Sequence, residues 1–223
     1  MTSQQDLLDT LALVGKALGN GHRLALLERL AQSEAAVEVL ADTSGLTVAN
    51  TSQHLQHLRR AGLVTATRSG KQMIYRLTDA RTLTLIDLMR QIAHTNLAEM
   101  ERLVSQLFAD DNADEALDPV SRDMLLQGLK TGSLALLDVR PVDEFQAGHL
   151  PDAINIPIDQ LEQMFNLLPK DKEIVAYCRG PYCALSHEAV KRLREKGFRV
   201  RRFAEGYPEW KAAGLPVMHD APC

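Results

Sequence analysis

Residues 174 to 184 constrain this chain more than any other stretch. The short apolar run Ile174-Val175-Ala176-Tyr177 ends on Cys178, and Arg179-Gly180-Pro181-Tyr182-Cys183 follows. From Ala184 to about Lys196 apolar residues recur at helical spacing. The order is strand, tight loop, helix. Gly180 and Pro181 bend the backbone, so loop amides and the positive end of a helix dipole converge on one point. A thiol held there ionises more readily than a free one, which makes Cys178 a candidate nucleophile. The competing reading is a buried cysteine that only packs.

The 223 residues have room for two ordinary domains, and 45% hydrophobic with 24% charged side chains is a globular composition. No run of about eighteen apolar residues is present that could span a bilayer, so no membrane contact is expected. Met1 leads into polar Thr2-Ser3-Gln4-Gln5-Asp6 rather than a basic start and an apolar core, and a cytoplasmic protein without a secretory leader is expected. Three cysteines, all beyond residue 177, suit no disulfide framework and fit a reducing compartment where thiols do chemistry. The net charge of −4 is unevenly spread. Residues 1–109 hold 11 basic against 10 acidic side chains, and the remainder 14 against 19.

In the first half, Leu7, Leu8, Leu11, Val14, Ala17 and Leu18 mark one helix, stopped by Gly19-Asn20-Gly21. His22 to Leu30 gives a second, and Val37, Val39 and Leu40 a short third ending at Thr43-Ser44-Gly45. In the next helix, Val48 to Ala61, Leu55 and Leu58 face inward. Asn50, Thr51, Ser52, Gln53, His54, His57, Arg59 and Arg60 supply a polar, partly basic surface. Helix, Gly-containing turn and such a helix read as a helix-turn-helix whose second helix enters the DNA major groove. Two β-prone runs around Ser69-Gly70 then form a hairpin with Arg68 and Lys71 at its tip, a wing against the phosphate backbone. One long helix is expected from about Asp79 to Phe108. Its apolar surplus, with that of the first helix, predicts a homodimer suited to a pseudo-palindromic double-stranded operator. His54 with His57, and Asp87 with His94 and Glu101, have ligand-like spacings but read better as DNA-facing and dimer-rim polar residues. No metal and no cofactor are expected.

The run from Thr47 to Val64, with Arg68-Ser69-Gly70-Lys71 and Tyr75-Arg76-Leu77, closely resembles the ArsR/SmtB family of winged-helix repressors over roughly residues 5–105. The resemblance implies a dimer released from DNA by a metal or thiol signal. The chain departs from the family at the third helix, where metal-sensing members carry Cys-x-Cys and this sequence reads Val37-Glu38-Val39-Leu40-Ala41. With no cysteine in this half, sensing must lie elsewhere.

Acidic, polar Ala109 to Glu115 marks a linker at 110–118. Beyond it a helix to about Leu129 precedes strands at Leu134–Val139, Ala153–Ile158, Ile174–Tyr177 and Phe198–Phe203, with a helical turn at Asp143–Gln146. That alternation argues for a parallel, helix-covered sheet whose ligands bind at the carboxyl ends of the strands. The fold class expected is therefore multi-domain α/β: a mostly α winged helix-turn-helix at 1–109, the linker, an α/β domain with a parallel sheet at 119–218, and a tail at 219–223 that holds Cys223.

Leu137-Asp138-Val139-Arg140, Glu144-Phe145 and the run Gly148 to Pro157 resemble the opening signature of a rhodanese domain, and Gly206-Tyr207-Pro208-Glu209-Trp210 to Val217 the closing one. Glu205 departs from it, standing where glycine is usual and narrowing the pocket mouth. The resemblance implies that Cys178 takes sulfane sulfur from thiosulfate or a polysulfide, holds it as a persulfide and passes it to a thiol acceptor, within a substrate loop of Arg179, Gly180, Pro181, Tyr182, Cys183 and Ala184. Amide groups of that loop suit a thiolate or persulfide anion. Arg179 either grips a donor's anionic end or is a solvated rim cation. Asp138 and Arg140 are expected as a structural ion pair. Related phosphatases and arsenate reductases need an arginine six positions after the nucleophile, and Ala184 stands there. Cys183 either resolves the Cys178 persulfide, as a disulfide or trisulfide, or simply packs. The expected whole is a repressor of sulfur-handling genes controlled through Cys178, with a working sulfurtransferase as the alternative.

Overall fold

The computed structural model describes residues 3–108 and 119–219. Residues 110–118, expected as a linker, and Cys223 lie outside them. The chain divides into two compact units, Met1–Asp87 and Leu88–Cys223.

In the first unit, α1 (Gln4–Leu18) starts at Ser3, whose hydroxyl accepts the Asp6 amide while the Asp6 carboxylate accepts that of Ser3. Helices α2 (Gly21–Gln32), α3 (Val37–Ser44) and α4 (Val48–Arg60) follow, with Asn20 and Thr47 capping α2 and α4 through their side-chain oxygens. Gly45, at φ +64°, turns α3 into α4 in the left-handed conformation that glycine adopts without steric cost. Leu18, Leu26, Leu27, Leu30, Leu40, Leu55 and Leu58 meet in one core. On α1 only Ala17 and Leu18 are buried; Leu7, Leu8 and Leu11 stay exposed although they continue the apolar stripe.

The wing is β2 (Val64–Ser69) against β3 (Gln72–Leu77), antiparallel, with Ser69 opposite Gln72 and Gly70-Lys71 as a two-residue turn. A third strand, not expected from the sequence, is β1 (Ala35–Ala36), which pairs with β3 to give the order β1-β3-β2. Two alanines have no periodicity to recognise; tertiary pairing with Tyr75 and Ile74 makes them a strand.

The single helix expected over 79–108 is two helices, α5 (Arg81–Asn96) and α6 (Ala98–Leu107), separated by Leu97 in an extended conformation. The side-chain amide of Asn96 donates to the Ile92 carbonyl (2.9 Å), the kind of local bond with which asparagine competes against helix continuation. Leu88 and Ile92 on α5, and Leu103 and Leu107 on α6, are exposed.

The rest of the second unit is α/β. Helix α7 (Arg122–Thr131) precedes β4 (Leu134–Asp138), α8 (Val142–Ala147), β5 (Ile154–Asn155), β6 (Glu173–Tyr177), α9 (Ala184–Glu195), β7 (Val200–Arg202) and α10 (Tyr207–Ala212). The strands form a parallel sheet in the order β5-β4-β6-β7. Strand β5 is shorter than the expected 153–158: the Ile156 amide still donates to the Asp138 carbonyl, but the Arg140 amide donates to the Asp138 carboxylate (2.9 Å) rather than across to β5. Alternation along β6 sends Ile174, Ala176 and, just past its end, Cys178 to a core shared with Ala189, Val190 and Leu193 of α9. Val175 and Tyr177 go to the opposite core with Leu125 and Trp210. Among the described residues no helix is long and apolar enough to cross a membrane.

Candidate functional site

Strand β6 delivers Cys178 to the carboxyl edge of the sheet, and the loop curls back at once. The Cys183 amide donates to the Gly180 carbonyl (3.1 Å), and the Tyr207 amide to the carbonyl of Cys178 (3.2 Å). Gly180 adopts φ +156° and lies against Gly206, where a Cβ would come within 2.3 Å of the Gly180 nitrogen. Two bare backbones in contact therefore set the shape of the loop.

Cys178 is 1% exposed. Its S–H donates to Ser186 Oγ at 3.1 Å, and that hydroxyl donates to the Cys183 carbonyl at 3.4 Å. Burial, followed by the neighbouring Cys183 sulfur, pushes the Cys178 thiol well above the ordinary cysteine range. Cys183, the N-cap residue of α9, is shifted the other way. The Cys178 thiol first, then the amides of Arg179 and Leu185 and the Arg179 charge, outweigh partial burial and lower Cys183 to about 6. The sequence placed both cysteines in the loop; the difference arises because Cys178 points into the core and Cys183 sits at the helix start.

Arg179, its side chain 37% exposed, is paired with Glu144. Its Nε lies 3.0 Å from both oxygens of Glu144 and its terminal nitrogen 2.6 Å from one, and Glu144 is buried on α8. Gly180 is buried, Pro181 and Tyr182 are half-buried, and Ala184 is exposed. Glu205 does not close over the site; its carboxylate holds Arg122 at 2.7 Å. Asp138 and Arg140 pair with both side chains at 0% exposure, and Arg140 also donates to the Gly148 carbonyl at 2.8 Å and stacks on the Tyr207 ring at 4.5 Å. Beside the loop, at the carboxyl ends of β4, β5 and β6, is a cavity of about 360 Å³ lined by Val139, Pro141, Val142, Pro157, Ile158, Asp159, Gln160, Arg179 and Leu185.

Sequence reasoning missed Ser186 and Glu144 as members of the site. Ser186 is the third residue of α9, a position legible once the helix start is placed. Glu144 belongs to the opening rhodanese signature, but its role is not legible there because its partner lies 35 residues away.

In the first unit, Asn50, Gln53, His57 and Arg60 form one outward stripe of α4, at i, i+3, i+7 and i+10, and all are exposed. Arg59 is exposed on another flank, while Ser52 and His54 are half-buried, His54 with its ring 5.6 Å from that of His22. Loss of hydration, with the Arg23 charge next, lowers His54. Thr51 is a correction to the expected surface: it is fully buried, its hydroxyl donating to the Thr47 carbonyl (3.0 Å), because 51, 55 and 58 share the inward stripe. Arg68 and Lys71 are exposed on the wing. No group of three or more His, Cys, Asp or Glu side chains that could hold a metal occurs among the described residues.

Comparisons with known proteins fall on these two units. Residues 121–213 match the Rhodanese-like domain family, and residues 18–66 a helix-turn-helix domain family. The HTH-type transcriptional regulator Rv0324 of Mycobacterium tuberculosis is 42% identical over 226 residues, covering 100% of this chain and 98% of that protein. A sulfurtransferase of Allochromatium vinosum is 33% identical over 89 residues, 40% of this chain and 81% of that protein. Among solved structures, a homodimeric winged helix-turn-helix DNA-binding domain from Mycobacterium bovis, described as a possible ArsR-family regulator, is 40% identical with a TM-score of 0.40, covering 44% of this chain and 95% of that one. A regulator of the helix-turn-helix type thus matches this chain end to end, and the chain belongs to the ArsR/SmtB-type helix-turn-helix transcriptional regulators that carry a C-terminal rhodanese domain.

Proposed function

We propose that this regulator represses sulfur-handling genes and leaves its operator when Cys178 is loaded with sulfane sulfur. The observation that carries the reading is the grouping of Cys178, Cys183 and Ser186 at the carboxyl end of β6, in a chain whose first unit has no cysteine with which to sense. The donor is a small sulfane compound such as thiosulfate or a polysulfide, and a thiol acceptor clears the signal. Release follows only if the loaded chain prefers a geometry with weaker operator affinity, because a modification shifts an equilibrium by no more than its differential effect on the two states.

The DNA-reading residues in this proposal are Asn50, Ser52, Gln53, His54, His57, Arg59 and Arg60 on α4, with Arg68 and Lys71 on the wing. The functional halves are 1–109 and 119–218, joined through 110–118, and the protein acts in the cytoplasm. Two chains pair through α1 and the 79–108 segment; the unpartnered Leu7, Leu8 and Leu11, and Leu88 and Ile92, favour that pairing over a monomer.

A second reading, a sulfurtransferase that DNA binding merely localises, is favoured by the similarity to the Allochromatium sulfurtransferase. Loading the protein with inorganic polysulfide and following both sulfur and DNA tests the choice. Stoichiometric sulfur on Cys178 with loss of DNA affinity supports the regulator. Steady turnover to a thiol with unchanged DNA affinity supports the enzyme.

A further inference from the structure

We propose that Cys183 is the thiol that meets the sulfur donor, and that Cys178 is the buried store to which Cys183 relays the sulfur. The inference rests on the proposed function and specifies how its signal is written.

Access separates the two thiols. Cys178 is 1% exposed and packed with Ala176, Ala189 and Leu193, while Cys183 is only half-buried at the N-cap of a twelve-residue helix. The cavity beside the loop is lined in part by Arg179 and Leu185, whose amides act on the Cys183 sulfur. A donor therefore meets the half-buried Cys183 before the buried Cys178. The electrostatics run in the same sense, lowering Cys183 and raising Cys178, whose S–H donates to Ser186 Oγ. The thiolate is the attacking form of cysteine.

With hydrogen disulfide as donor, the first step is Cys183–S⁻ + HS–SH → Cys183–S–SH + HS⁻. A new sulfur–sulfur bond forms at Cys183 as the donor's own breaks, and hydrosulfide leaves with the electron pair. In the second step Cys178 attacks the outer sulfur: Cys178–SH + Cys183–S–SH → Cys178–S–SH + Cys183–S⁻ + H⁺. The proton leaves Cys178 on the side of Ser186, and Cys183 departs as the thiolate. The transferred sulfur stays zero-valent, so no oxidant or reductant is needed. Thiols of lower pKa leave faster, which gives the relay its direction from Cys183 to Cys178. The stored persulfide then lies out of solvent.

The test uses full-length protein, hydrogen disulfide at pH 7, an alkylating quench and peptide mass mapping. In Cys178→Ser, sulfur accumulates on Cys183. In Cys183→Ser, sulfur appears on Cys178 at least about tenfold more slowly than in the wild type. Should the serine variant fold poorly, brief alkylation of folded wild type near pH 6.5 gives the same reading, because it blocks Cys183 first and leaves Cys178 without sulfur. The relay is overturned if Cys178 in Cys183→Ser, or in the selectively alkylated protein, loads at the wild-type rate; sulfur on Cys178 would then still support the proposed function. Sulfur on neither thiol of the wild type overturns both.

Discussion

Gly206→Ala probes how the loop is held. A Cβ at 206 would lie 2.3 Å from the Gly180 nitrogen, 2.6 Å from its Cα and 2.7 Å from the Arg179 carbonyl carbon, where ordinary contact begins at 3.4 Å. The Gly180 backbone must therefore retreat by about 1.1 Å. No flexible side chain can absorb this, because the opposing atoms are main chain and Gly180 is fixed by its bond to the Cys183 amide. Forcing extra atoms into a packed site costs about 1–3 kcal/mol, and contact with backbone puts this case at the upper end. A loss of about 2–3 kcal/mol lowers the melting temperature of a domain of about 100 residues by about 8–24 °C. The larger effect falls on chemistry, since displacement by about 1 Å can cost roughly a hundredfold in rate. Differential scanning calorimetry of the C-terminal transition and the rate of sulfur uptake measure the two effects. A Gly206→Ala protein that melts and loads sulfur like the wild type refutes the claim that the 180–206 contact shapes the site.

Arg140→Met leaves the Asp138 carboxylate buried and unpaired, which costs about 3–5 kcal/mol, and calorimetry should show the C-terminal transition falling by at least about 12 °C. Arg68→Ala and Lys71→Ala should each weaken DNA binding across sequences and reduce the slope of log affinity against log salt by about 1, measured by titration at several salt concentrations. Stability should follow the loop thiols with opposite signs. Cys183, lowered from 9.0 to about 6, contributes stability that is full above pH 9 and lost as pH falls through about 6, whereas raised Cys178 costs stability above about pH 9. Between pH 6 and 9 the wild type should therefore gain melting temperature relative to Cys183→Ser; a constant difference contradicts the assignment.

The elements that carry strong local signals were legible in the sequence. Gly70 in a two-residue turn between β-prone runs, Gly45 after α3, and an apolar run ending at Cys178 each follow from backbone chemistry that needs no distant partner. Leu97 was not legible, because neither glycine nor proline marks the break and a single Asn96 side chain contributes to it. Thr51 was misplaced through its polarity, although its phase with Leu55 and Leu58 already pointed inward. The loop's two cysteines were recognised, but their protonation depends on which of them the sheet buries and which the helix caps. The Glu144–Arg179 pair is a contact between residues brought together only by the α/β fold.

The measurement that tests the central claim most directly is DNA affinity by fluorescence anisotropy, on a duplex the protein itself selects from a random pool, at one fixed salt concentration. Reduced wild type, polysulfide-loaded wild type and Cys178→Ser with and without polysulfide are compared. A sulfur-controlled repressor loses about 5- to 150-fold in affinity on loading, the range of an ordinary coupling between sites, and Cys178→Ser loses none. Equal affinity of the reduced and the fully loaded wild type would contradict the account.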